Sequence, residues 1–149
     1  MHLTTRLRYA CRALTDLAAH SDDGPVHLSD IVERQGLSQS YLENLMVSLK
    51  RAGLVTTRRG RQGGYALSQP PEAIKLGQIL TAVEGPLTLI DCLSDSSLCP
   101  HSDTCVTRDV WREMEEAMIS ILETRTLGEL VRKYQEKEQR GTTKTGGPH

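Results

Sequence analysis

Three cysteines, Cys92, Cys99 and Cys105, fall within one short polar stretch at C-x6-C-x5-C spacing. A thiolate is at once a nucleophile, a metal ligand and an oxidisable group, so the trio offers metal or redox chemistry. Structural zinc sites usually pair ligands as C-x2-C to C-x4-C, and thiol oxidoreductases use C-x-x-C; neither spacing occurs here. Longer intervals suit a larger inorganic object, because an iron-sulfur cluster sets its irons apart and is held by a loop wrapped around it. Pro100 and the small polar residues near it permit such wrapping. Redox thiols without a metal, or coincidence, are the other readings. The fourth cysteine, Cys11, shares an apolar helical stripe with Leu7 and Leu14, where a thiol behaves as a small buried hydrophobe.

The chain that must position these thiols has 149 residues, a net charge of -1, no Phe and one Trp, Trp111. That length suits one modest domain with a core of Leu, Ile, Val and Ala, and is short for a large enzyme's cleft. The charge is unevenly spread: residues 1–65 carry nine Lys/Arg against six Asp/Glu, and residues 66–149 carry nine against thirteen. From Lys50 to Arg61 there are five basic residues and no acid, a patch able to meet phosphate or simply a solvated face. Arg6, Arg8 and Arg12 interrupt the N-terminal apolar positions, so neither signal peptide nor membrane span is expected, and the chain is expected to be cytoplasmic. In that reducing compartment the cysteines serve metal binding, redox chemistry or burial rather than a disulfide framework.

Apolar periodicity predicts a mainly α fold. A first helix spans residues 4–19, a turn follows at 21–25, and a second helix over 29–35 ends at Gly36. Ser38, or Ser40 with Glu43, caps a third helix running to residue 52. Its inner stripe is Leu42, Leu45, Met46 and Leu49, while Ser40, Asn44, Val47 and Arg51 point outward. Two helices across a tight turn, the second with a polar outer face, make a helix-turn-helix. Residues 54–58 and 65–67 then predict two strands around a tip of Gly and Arg, which completes a winged helix. On this reading Ser38, Ser40, Tyr41 and Asn44 face the major groove of double-stranded DNA, with Gln39 and Glu43 as further DNA-binding candidates on the same helix. Lys50, Arg51, Arg58, Arg59, Gly60 and Arg61 meet the backbone or minor groove.

Beyond Pro70-Pro71 a short helix covers 76–83, and Gly85-Pro86 opens the cysteine stretch. A long amphipathic helix starts near residue 104, and Thr126 with Glu129 forms a capping box for a last helix through Tyr134. The predicted organisation is a winged helix over 1–84, a cysteine loop over 85–105, dimerisation helices over 106–135 and a disordered polar tail over 136–149. The stripe Val110, Met114, Met118, Ile121 and Leu122 lacks an obvious partner within the chain. Pairing with a second copy supplies one, and a two-fold homodimer suits a palindromic operator.

Taken together, Leu3-Thr4 with Arg8-Tyr9-Ala10, Ser38-x-Ser40-Tyr41-Leu42-Glu43, Gly53-Leu54-Val55, Arg59-Gly60-x-x-Gly63-Gly64-Tyr65, the cysteine trio, Trp111 and Thr126-Leu127-Gly128-Glu129-Leu130 resemble the IscR/NsrR/RirA-type winged-helix regulators. The likeness covers about residues 1–134 and is nearest to the IscR-type branch. It implies a bacterial homodimeric transcription factor that holds an iron-sulfur cluster on Cys92, Cys99 and Cys105 near the dimer interface. A 2Fe-2S cluster is preferred over a 4Fe-4S one, and the implied role is control of iron-sulfur assembly or stress genes in response to cluster status, redox state or nitric oxide.

Two positions depart from that pattern. IscR-type proteins place a histidine ligand three residues after the last cysteine, where this chain has Arg108; NsrR-type proteins use an aspartate of the partner's first helix, at the position of Arg8. Arginine stays protonated and cannot coordinate iron. His101 is the histidine left in the loop and the candidate fourth ligand. Asp91, Asp103, Asp109, a group from the second subunit or an open iron are the alternatives. Without a cluster the same architecture is a regulator switched by thiol oxidation or by docking to a partner enzyme. No nucleophile-base constellation points to catalysis.

Overall fold

The computed structural model describes the backbone of residues 3–144 and the side chains of residues 3–141. The first helix, α1 (Thr5–Ala19), begins where extended Thr4 accepts a hydrogen bond from the Leu7 amide at 3.2 Å. Its apolar face buries Ala10, Leu14 and Leu17 completely. The next helix, α2 (Leu28–Gln35), stops at Gly36, whose φ of 63° closes the helix in the left-handed region. Ser38 then caps α3 (Gln39–Arg51) by accepting from the Tyr41 amide, which decides between the two possible starts. Leu42, Leu45, Met46 and Leu49 enter the core as the periodicity predicts. Each such side chain contributes about 1.5–3 kcal/mol of burial.

Strands β1 (Val55–Arg58) and β2 (Gly64–Leu67) pair antiparallel, with Val55 opposite Leu67 and Arg58 opposite Gly64. Tyr65 also exchanges both backbone hydrogen bonds with Val26, each 2.8 Å, so the segment before α2 runs beside the wing as a third rung. Gly64 makes this approach possible. At φ 137° it sits where a Cβ would run into the Val26 carbonyl.

The fourth helix, α4 (Leu76–Glu84), packs on α1 and α3 through Ile79, Leu80 and Val83. After it come the single-turn α5 (Asp91–Ser94) and a 3-10 turn at Ser96–Leu98, then α6 (Val106–Thr124) and α7 (Leu127–Lys144). The architecture is mainly α with a two-stranded wing. Two findings differ from the predicted organisation. The last helix does not join α6 in a separate unit: it lies along α1, with Leu127 fully buried and Val131 nearly so. It also continues to Lys144, so residues 136–144 are helical rather than a disordered tail, and residues 145–149 lie outside the described residues. Gln, Glu, Lys and Arg dominate that extension and are good helix formers even without an apolar face.

Asp16 has no exposed surface, yet its carboxylate is fully matched. Arg34 donates to it from two nitrogens, the shortest bond being 2.7 Å, and Gln35 donates at 2.8 Å. A planar guanidinium suits a carboxylate in this forked geometry. The pair ties the last turn of α1 to the last turn of α2.

Candidate DNA-reading face and cysteine segment

The outer face of α3 is polar and exposed, as its position in a helix-turn-helix requires. Ser40, Glu43, Asn44 and Arg51 are exposed. Gln39 donates to Glu43 at 3.1 Å, so those two side chains act as one unit. Two residues expected on this face have structural duties. Ser38 spends its hydroxyl oxygen on the cap, and Tyr41 is half-buried edge-on against Tyr9 of α1, with ring centroids 5.7 Å apart. Tyr9 in turn carries Arg12 over its ring at 5.3 Å and Arg8 at 5.8 Å. Lys50 reaches the wing, donating to the Thr57 hydroxyl at 2.9 Å.

Arg58, Arg59, Gly60 and Arg61 are all exposed at the wing. The three arginines line an open cleft with His27 and Asp23, which the sequence reading did not include. His27 stands at the N-terminus of α2 and comes near the wing because Val26 is bonded to Tyr65. No local sequence signal links it to Arg58, since the contact depends on the turn between α1 and α2. Three arginines against the single carboxylate of Asp23 make the cleft predominantly positive, a chemistry that suits a phosphate backbone.

Cys92, Cys99 and Cys105 are free thiols of intermediate exposure on the segment between α4 and α6. Cys105 is the N-cap residue of α6. A hydrogen bond from the Thr107 hydroxyl, then the Arg108 amide and the Arg108 charge, hold its thiol below the ordinary range. Cys11 is only partly buried, packed against the core rather than within it as the apolar stripe suggested, and that burial pushes its thiol up to about 11. Ser102 pins the segment's turn by donating to the carbonyls of Ser96 and Cys99, both at 2.7 Å. Leu89 is tied to α6 through its amide and Glu115, and Cys92 through its carbonyl and Arg108.

Three partly exposed thiols, one of them with a lowered pKa, match in kind the donors that hold an iron-sulfur group. The segment does not gather them: among the described residues, no three His, Cys, Asp or Glu side chains lie close enough to share a metal ion. His101 is exposed, and its carbonyl accepts from the Thr104 amide. Arg108, at the position of the IscR-type histidine, is engaged with the Cys92 carbonyl.

On α6 no residue is fully buried. Val110, Met114 and Ile121 are exposed, at 50, 40 and 57%, and Val106 extends the same line. Met118 and Leu122 lie beside this line, on the side toward the chain's own core. Leu122 packs against the core, and Met118 lines a cavity of about 350 Å³ with Leu3, Leu7 and Leu80. The unpartnered apolar line is therefore Val106, Val110, Met114 and Ile121, with Met118 and Leu122 at its inner edge. Among the described residues no helix is long and apolar enough to cross a membrane.

Comparison with known proteins places this geometry. The family model Rrf2, described as iron-dependent transcriptional regulator, matches residues 3–133. The HTH-type transcriptional regulator IscR of Yersinia enterocolitica is 45% identical over 131 residues, 88% of this chain and 79% of that protein. Among solved structures, CymR (YrzC), the global cysteine regulator of B. subtilis, superposes with a TM-score of 0.76 at 32% identity, covering 89% of this chain and 98% of that one. T. potens IscR superposes with a TM-score of 0.75 at 36% identity, covering 92 and 90%.

Proposed function

The chain belongs to the Rrf2 family of transcriptional regulators, and from that premise we propose that it is a cytoplasmic sensor whose DNA binding is set by the thiol segment through an iron-sulfur cluster. It is a DNA-binding homodimer and not an enzyme. On this reading Cys92, Cys99 and Cys105 hold the cluster and His101 is the fourth donor. A 2Fe-2S form is preferred over 4Fe-4S, and the regulated genes serve iron-sulfur assembly or stress responses. When bound, such a group supplies a redox-active centre that oxidants or nitric oxide can alter. The residues themselves supply the rest. Cys105 opens α6, Arg108 anchors the segment to that helix, and the exposed line of α6 meets the second copy. A palindromic operator matches the resulting two-fold symmetry.

The single observation that carries this reading is the placement of all three thiols on one half-exposed segment that leads directly into α6. Anaerobically purified protein is the test. Iron and sulfide in equal amounts, with visible absorption that Cys99→Ala removes and Cys11→Ala keeps, is the expected result. Protein that takes up neither element under reconstitution rejects the cluster.

A second reading has its own support. The lowered Cys105 thiol and the likeness to CymR, described as a cysteine regulator, suit a cluster-free switch through thiol oxidation. DNA binding that responds to a disulfide oxidant in metal-free protein, and is restored by dithiol, would select it. Docking to an enzyme partner is the remaining cluster-free form.

A further inference from the structure

Arg6 lies outside every group assigned above, yet its side chain joins two of the elements that matter most. From α1 its Nε donates to the Val83 carbonyl at 3.1 Å and stands 3.9 Å from the Glu84 carboxylate, at the end of α4. From the same guanidinium Nη1 faces Asn44 Oδ1 at 3.4 Å and Nη2 faces Ser48 Oγ at 3.5 Å, both on α3. A guanidinium is planar and rigid, so the anchor on Val83 and Glu84 sets where the other two nitrogens point. Val83 O is one of the carbonyls that a helix end leaves without an intrahelical partner, and a cation there is favourable.

We propose that Arg6 is a specificity-determining positioning residue, which fixes the orientation of the Asn44 amide and so the base edge that Asn44 reads. This rests on the DNA-reading role given to α3. The chemistry leaves one choice at the contact. Arginine has five donors and no acceptor, so the Asn44 atom turned toward it is the carbonyl oxygen and never the amino group. The amino group is then left for a partner other than Arg6, on a residue that is exposed on α3. In the major groove an outward NH2 suits acceptor edges, guanine N7 and O6 or thymine O4, and opposes the amino group of cytosine. Without Arg6 the amide turns freely and offers either atom.

Arg6 touches no DNA in this scheme. It acts through Asn44, and its signature is a change confined to one base pair in each half-site rather than a general loss of affinity. Glu43 and Gln39, already bonded to each other, keep their own contribution.

The experiment uses the full chain and duplexes selected by the wild-type protein from a random pool, with every base pair of the site then varied singly. Asn44→Ala identifies the base pair that Asn44 reads. Arg6→Gln is expected to reduce discrimination against cytosine at that same base pair about fivefold, and to add nothing in the Asn44→Ala background. Arg6→Lys, which still only donates, is expected to retain most of the discrimination. Asn44→Asp does not depend on how Arg6 variants fold: it keeps an acceptor for Arg6, presents a second acceptor outward, and is expected to move the preference toward cytosine. Arg6→Gln that weakens all sequences equally and lowers the salt slope makes Arg6 a phosphate contact and overturns the proposal, as does Asn44→Asp that keeps the wild-type preference. If Asn44→Ala relaxes no base pair, the α3 reading at that residue falls and takes the proposal with it. Relaxation by Asn44→Ala with a wild-type pattern for Arg6→Gln overturns the proposal alone.

Discussion

Arg108 donates to the Cys92 carbonyl from Nη2 at 2.7 Å and from Nε at 3.2 Å, clamping the first turn of α6 to the start of the cysteine segment. Where the IscR-type pattern has a ligand, this chain has a mechanical tie. The segment has little else to hold it: between residues 91 and 105 only Ser102 is buried.

Loss of the tie acts locally. Hydrogen bonds from a charged donor contribute about 1.5–3 kcal/mol, so Arg108→Ala is expected to speed amide exchange over residues 92–105 by tenfold or more. The unfolding midpoint of the whole chain should barely move, because the core lies elsewhere. Hydrogen exchange read by mass spectrometry checks both halves.

The thiols differ in reactivity for stated reasons. In metal-free protein Cys105 is expected to react first with iodoacetamide near neutral pH, since its lowered pKa enlarges the thiolate fraction there. Thr107→Val removes the leading cause, raises that pKa and moves the rate profile toward higher pH. Cys11, raised to about 11, is expected to react far more slowly than Cys105 in the folded protein. Modification of native Cys11 at neutral pH as fast as that of Cys105 would contradict the argument.

Arg59 stands exposed on the wing. Arg59→Ala is expected to weaken binding to all sequences and to lower the salt slope by about one counterion. An unchanged slope would place Arg59 away from the backbone.

Met114 tests the line on α6. A carboxylate at a pairing surface carries a desolvation cost of several kcal/mol, so Met114→Glu is expected to sediment as a monomer and to lose its operator. Met118→Glu should damage stability instead, because Met118 faces its own chain. A dimeric Met114→Glu moves the interface to another surface.

Arg34→Ala leaves the Asp16 carboxylate without its main partner in a place with no exposure. Gln35 remains and Arg34 is itself about one-third exposed, which reduces the cost below that of a fully buried pair. A loss of about 2–3 kcal/mol in chemical denaturation is expected.

Local signals in the sequence located most of the fold. Ser38 and Thr126 marked helix starts, Gly36 marked an end, and the spacing of Leu42, Leu45, Met46 and Leu49 identified the inner face of α3. What escaped depends on residues far apart in the chain. Asp16 meets Arg34, Arg6 meets Val83, and His27 meets the wing only after the helices have packed. The two sides of α6 were also hard to separate, since Met114 and Met118 are alike in chemistry and four residues apart in sequence. They are neighbours on one face of the helix, and only the position of the core shows that Met118 lies at its inner edge and Met114 at its outer edge. The polar end of α7 failed for a different reason: absence of an apolar stripe resembles disorder, although its residues favour a helix.

The rung between Val26 and Tyr65 has a mechanical consequence. A wing on two strands alone would hinge at its base, but this one is held by the segment entering α2 on one side and by Lys50 of α3 through Thr57 on the other. Each half of the dimer therefore grips like a fixed calliper, with jaws that cannot open independently. On the pairing proposed for α6, adjustment to an operator is expected to fall to the spacing and rotation of the two callipers, so that binding should depend more on spacer length than on groove width within a half-site.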